Sequence, residues 1–397
     1  MDEWDLEPKR KLQAGPTASR LPAQTQNFSV TSTFVRNKDP NDIQGQLRNL
    51  QATEDLELTG QIKVLSSITT TKEAYCVKYT EEYDYLCAGF TDGKIRVFST
   101  ANSKCTATLT DEETNENSAP VTCMKHRPVN KNYPIINCIT ATYANGLVKC
   151  WNYSFNQCTY TIREKRQTYN ITYHPRLPKF ITCGDNGKMY YYDEESKVQE
   201  RILSGSDNNS VLDGHSSRVF AACFNPQSNY ELITGGWDDV VLFWDLRQPF
   251  ALRHLSGLHM GGEGLDIDSA GKTILTCAWQ AENALQLWDY GSGNLITTLE
   301  PDIFNTKLYC GRFIGKDYLI CGGCQSNLLR LVDKTTSFSA ANVKNLPKGV
   351  YSIDIGQPKL SKDKAKEYMT KANEIATLPR IAFSAGTKIF QIDFSAK

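Results

Sequence analysis

The sequence predicts an all-β protein, a seven-bladed β-propeller, and three observations carry that prediction. A short unit recurs: small residues, a polar turn, then alternating residues that end in an aromatic or apolar residue, often followed by Asp. The recurrences come roughly every 40 to 60 residues, a period that belongs to repeat architectures in which each unit buries its apolar face only against the next. Between them, Gly, Asn and Asp punctuate runs with period-two alternation, the pattern of half-buried strands.

In chain order the units read Gly93 to Phe98, Gly146 to Asn152, Gly187 to Asp193, Asp239 to Asp245, Asn283 to Asp289, Asn327 to Asp333 and Gly386 to Asp393. Phe98, Trp151, Tyr192, Trp244, Trp288, Val332 and Ile392 fall at one repeat position. With four short strands per unit, the ring is expected to take residues 60–397. Gln61 to Leu65 is the expected outermost strand of the last blade, whose three inner strands come from residues 350–394. Placing both ends of the ring in one sheet removes the free edges of a linear array.

Two stretches fall outside the repeat. Residues 1–59 contain Pro8, Pro16, Pro22 and Pro40 and few large apolar residues, so they are expected to form an extension that is disordered alone. An insertion at about 359–377 has helical spacing at Tyr368, Met369, Ala372, Ile375 and Ala376. Ser361 is its candidate N-cap and Pro379 its bound. It interrupts the last blade on the lower face, where it either folds back or docks a partner. The loop Asp111 to Glu116 is acidic and reads as solvated.

Composition narrows the function classes. Lys+Arg and Asp+Glu both number 44, which argues against a broad nucleic-acid surface, and no direct sequence-specific nucleic-acid binding is expected. No apolar run approaches the roughly 18 residues of a membrane span, so no membrane insertion is expected. Thirteen cysteines, an odd number without framework spacing, fit a reducing intracellular compartment, cytoplasmic or nuclear. Cys321-Gly322-Gly323-Cys324 has the spacing of a metal or redox pair. However, Cys321 falls on a small-residue repeat position and no second Cys or His pair follows. No metal or other cofactor is expected. His126, His174, His254 and His259 lie beside no nucleophile motif, and the chain is read as not an enzyme.

At Trp151-Asn152, Trp244-Asp245 and Trp288-Asp289 the sequence resembles the WD40 repeat family, over about residues 60–394. The fourth blade is the fullest copy: Asp213-Gly214-His215, Val219 to Pro226, Leu232 to Asp238, then Phe243-Trp244-Asp245. The resemblance implies a buried hydrogen-bonded tetrad of His215, Thr234, Asp238 and Trp244, in which each buried polar group is satisfied by another.

The mouth of the central channel is the candidate binding site. Repeat alignment with Phe220, at the start of the innermost strand of blade four, brings together Tyr75, Thr122, Tyr169, Glu263, Tyr309 and Tyr351. Five aromatics and a carboxylate at one entrance suit a cationic side chain, although the same rings also serve to pack blade against blade. Trp237, in the turn before Asp238, is a candidate anchor on the same face. The run Val219 to Pro226 looks like the corresponding run in WD40 readers of arginine-containing tails. The function expected is a non-catalytic scaffold that holds other proteins in a complex, recognising an Arg- or Lys-bearing peptide at the mouth. The alternative is a substrate receptor of a cullin-RING ubiquitin ligase, because Trp244-Asp245-Leu246-Arg247 resembles the Trp-Asp-x-Arg box, with Trp244, Asp245 and Arg247 docking the ligase adaptor.

Overall fold

The computed structural model describes residues 56–208, 210–356 and 379–394. They form seven antiparallel sheets arranged as the blades of a propeller, the first five with strands in sequence order from the centre outward and the last two completed at the rim by strands from earlier in the chain. Blade four runs Val219–Phe224, Glu231–Gly236, Val240–Asp245 and Arg253–Ser256. Its third strand is buried at every residue because both faces of a blade pack against neighbours, whereas Arg253–Ser256 is mostly open to water at the rim. Trp151 and Trp244 are among the largest fully buried side chains, so the aromatic that ends the repeated unit is a core residue.

The turn between the second and third strands explains the start of the unit. Its left-handed residue is Gly93, Gly146, Gly187, Asp239, Asn283, Gln325 and Gly386 in blades one to seven, with φ between 53° and 90°. Such φ values favour Gly, Asn and Asp. Blade six departs from the expected unit, since Gln325 rather than Asn327 takes that conformation.

Ring closure joins distant parts of the chain. Ile62–Thr69 pairs with Lys388–Phe394 as the outer strand of blade seven, a longer strand than Gln61 to Leu65. Upstream, Glu57–Thr59 pairs with Ser339–Lys344 as a fifth strand of blade six. The boundary expected at residue 59 therefore lies further upstream, because the backbone of residues 57–59 satisfies an otherwise open sheet edge. Residues 1–55 and the expected helix at 359–377 lie outside the described residues.

The acidic loop is also corrected. Glu112–Glu116 forms one helical turn capped by Asp111. Asp111 and Glu113 clamp the buried Lys149 ammonium at 2.7 and 2.6 Å, and Glu113 also holds Arg163. These carboxylates are structural because a buried ammonium requires charged partners. Among the described residues, no helix is long and apolar enough to cross a membrane.

Candidate functional site

A β-bulge begins the innermost strand of most blades. Register shifts leave one residue unpaired at Tyr75, Thr122, Tyr169, Phe220, Tyr309 and Tyr351. Thus the repeat position read from the sequence is the bulged residue, and a bulge re-aims its side chain away from the sheet.

Those rings meet. Tyr169 stacks on Phe220 with centroids 4.6 Å apart, and Phe220 lies 5.4 Å from Trp237. Trp237 reaches His259 at 5.8 Å, His259 reaches Trp279 at 5.9 Å, and Trp279 reaches Tyr309 at 6.2 Å. The series continues to Tyr351 at 5.2 Å and ends on Tyr75 at 5.7 Å. Eight rings thus run unbroken through every blade except blade two. There Thr122 bonds Thr142 and the carbonyl of Thr168. Trp237 is 40% exposed and Tyr75 36%, while the other rings are half-buried. The rings therefore do both jobs: they pack across blade boundaries and still present surface. His259 and Trp279 complete the series through turns whose length hid them from strand alignment. Arg218 and Lys307 lie over the indoles of Trp237 and Trp279, at 5.1 and 4.7 Å from the ring centres.

Glu263 holds the aligned position, but its carboxylate is not free at the mouth. It turns into the channel, where it accepts from Lys125 at 2.7 Å and Arg312 at 2.9 Å, and from the Cys123 thiol. Burial alone would raise its pKa, but Lys125 and Arg312 outweigh that and hold it at about 2. The carboxylate expected to greet a partner instead neutralises two cations of the channel wall. Lys78 pairs with Asp354 at 2.7 Å, and Asp266 accepts the Phe313 N–H and faces Arg312 at 3.8 Å. Burial pushes Asp266 upward in pKa, and burial with nearby Lys78 pushes His126 down to about 4. Lys78, Lys125, His126, Glu263, Arg312 and Asp354 line a cavity of about 360 Å³. Lys125 and Arg312 were missed in the sequence, although both stand three residues beyond a mouth position.

The blade-four tetrad closes as a chain. Trp244 Nε1 donates to Thr234 Oγ1 at 2.8 Å, and that hydroxyl lies 2.7 Å from His215 Nε2. His215 Nδ1 lies 2.9 Å from Asp238, which also accepts the Ser216 N–H. Each group is satisfied if the imidazole is neutral with its proton on Nδ1. Burial opposes the charge of Asp238, but His215 and Ser216 hold its pKa below the usual carboxylate range.

Blade three makes a different chain at corresponding places, one the sequence reading missed. Glu164 stands four residues before the bulge flank Thr168, as His215 stands four before Val219. Its carboxylate accepts from Arg166 and Thr168 at 2.7 Å, Tyr192 at 2.9 Å, and Thr182. That shared offset was the available signal.

Arg247 lies at the other end of the sheet, its side chain 62% exposed. Its guanidinium pairs with Asp245 at 2.6 Å and covers the Tyr230 ring. Asp245 is itself buried. Cys321 is buried in a second strand, where burial pushes its thiol up to about 11. A side chain on Gly322 would strike Val350, and one on Gly323 the Lys307 carbonyl, which explains the two glycines between Cys321 and Cys324. His174 accepts the N–H groups of Arg176 and Leu177 and so holds a turn. Among the described residues, no group of three or more His, Cys, Asp or Glu is placed to hold a metal.

Comparison with known proteins agrees with this geometry. The profile described as WD domain, G-beta repeat matches residues 206–245, which span the tetrad. A pre-mRNA-processing factor 19 homolog 2 from Arabidopsis thaliana is 25% identical over 67% of this chain and 48% of its own length. A ribosome biogenesis protein WDR12 homolog from Anopheles gambiae is 23% identical over 58% of this chain and 52% of its own. A histone acetyltransferase type B subunit 2 from Schizosaccharomyces pombe is 32% identical over 19% of this chain and 17% of its own. The chain thus spans about half or less of the curated relatives it matches.

Proposed function

We propose that this chain, whose residues 206–245 match the WD domain, G-beta repeat profile, is a WD40-repeat protein and a non-catalytic scaffold that holds other proteins in a complex, with the ringed channel mouth as its partner-binding surface. The observation that carries this reading is the unbroken series of rings from Tyr169 to Tyr75. Rigid aromatic surface at the centre of a face is the usual material of binding hot spots, and it attracts cationic side chains. A partner segment bearing Arg or Lys suits it. Because Glu263 is committed to Lys125 and Arg312, the attraction comes from the rings, with each cation–π contact contributing about 0.5–2 kcal/mol. Relatives named for ribosome biogenesis and pre-mRNA processing are consistent with work inside multiprotein assemblies.

The test is affinity purification of the intact chain beside folded Phe220→Ala and Tyr351→Ala variants. Loss of a shared set of partners from both variants is expected. Full recovery by both would move the binding surface elsewhere. The ligase-receptor alternative needs the Arg247 guanidinium for an adaptor, yet Asp245 and Tyr230 already hold it. Adaptor recovery that vanishes on Arg247→Ala would favour that alternative over the scaffold reading.

A further inference from the structure

The two arcs of rings at the mouth differ in what they leave open. Tyr169 and Phe220 lie only 7° from parallel, so each gives up a face to the other. Trp237, His259 and Trp279 follow at interplanar angles of 24° and 37°, with Arg218 and Lys307 over the two indoles. The protein's own cations already occupy that arc. Tyr351, by contrast, meets Tyr309 at 55° and Tyr75 at 71°. An angled contact uses a face of at most one ring, so although Tyr309 also lies against Trp279 at 27°, its remaining surface and the rings of Tyr351 and Tyr75 form a corner with π surface to spare. Among the described residues, no Lys or Arg lies over any of the three.

The carboxylates around this corner are committed as well. Glu263 is held by Lys125 and Arg312, and Glu73 is paired with Lys348, an ion pair whose ammonium and carboxylate both bear on Tyr351 from beside the corner without lying over its rings. An ammonium or guanidinium entering the corner brings N–H donors that need acceptors once water is lost. A quaternary ammonium brings the same charge and no N–H, so rings alone can satisfy it. Tyr309 and Tyr351 are half-buried, which suits a side chain projecting inward.

We propose that Tyr75, Tyr309 and Tyr351 form a cage for a quaternary ammonium group on a partner protein, a trimethylated lysine side chain. This inference rests on the reading of the mouth as a cation-binding surface.

The test titrates the full chain with N-acetyl-trimethyllysine amide by ligand-observed NMR. The lysine and arginine analogues, and the neutral isostere with carbon in place of the charged nitrogen, run alongside. The trimethylated compound is expected to bind about ten-fold more tightly than the other three, as ring recognition of charge without N–H donors requires. Binding should be lost in Tyr75→Leu, whose exposed ring can be changed without unfolding the blade, and in Tyr351→Leu where that variant folds. It should persist in Phe338→Ala, a change at an exposed ring outside the mouth series. Arginine binding as well or better, abolished by Phe220→Ala, would overturn the cage and leave the cation-binding mouth standing. Binding of no cation would sink both readings. Preferential capture of the chain on phosphatidylcholine vesicles, sensitive to Tyr75→Leu, would replace the protein partner with a lipid headgroup and overturn the proposal as stated.

Discussion

The mouth and the channel beneath it are built from the same innermost strands, yet they spend their residues in opposite ways. At the bulge stand Tyr75, Tyr169, Phe220, Tyr309 and Tyr351, partly exposed and joined ring to ring. Three residues further along stand Lys78, Lys125, Asp266, Arg312 and Asp354, whose charges close on one another or on Glu263. The rings add packing and keep surface in reserve. The charges hold the wall together and leave little to offer a ligand. Glu263 shows how position and role separate: it aligns with the rings and works with the charges.

The largest expected effect breaks the channel. Glu263→Gln leaves Lys125 and Arg312 without their shared carboxylate, and stripping this partly buried network of its anion costs about 2–3 kcal/mol, less than for a wholly buried pair. Chemical denaturation of the purified variant checks this. An unchanged midpoint would mean that the channel charges are solvated like surface pairs and that the contrast with the mouth is false.

His215→Ala is the control in the blade body. It leaves Thr234 and Asp238 with an unmade hydrogen bond and should cost about 1–3 kcal/mol without selecting among partners. Loss of one partner at unchanged stability would move His215 from the core chain to the binding surface.

Acid should find the channel before the mouth. His126 is pushed down to about 4 from an ordinary 6.5, so the unfolded chain binds its proton first and stability falls as pH drops from 6.5 toward 4. Glu263, at about 2 against an ordinary 4.5, contributes stability present above 4.5 and lost as pH falls toward 2. Thermal midpoints across this range should fall in both windows, and His126→Phe should flatten the upper one. A profile identical in His126→Phe and the parent chain would remove His126 from the account.

The smallest stability effect belongs to the mouth. Tyr75→Leu alters an exposed ring and should move stability by no more than about 0.5 kcal/mol. Partner recovery should nevertheless fall. If stability drops as it does in Glu263→Gln, the mouth rings are core residues and the division between the two levels disappears.

How much of this was legible in the sequence depends on whether the signal was local. Left-handed turns at Gly93, Gly146, Gly187 and Asp239, and the buried aromatic five residues after each, are local requirements of φ and burial, so they repeat in the chain and reveal the ring. The blade-four tetrad was legible because each member sits at a fixed offset within one unit. At Tyr75, Thr122, Tyr169, Phe220, Tyr309 and Tyr351 the aligned position is the residue that a recurring bulge leaves unpaired, a local backbone feature that repeats with the unit. Tertiary structure alone decided where the side chains went. Glu263 turns inward because Lys125, from blade two, and Arg312, from blade six, meet it across the channel, and no offset in the chain encodes that distance. Asp111 and Glu113 read as solvated until Lys149, buried in the next blade, required them. Charge pairing and ring stacking depend on separation in space through steep functions of distance. A sequence specifies which groups exist and what backbone they prefer, and only the closed ring determines which of them touch.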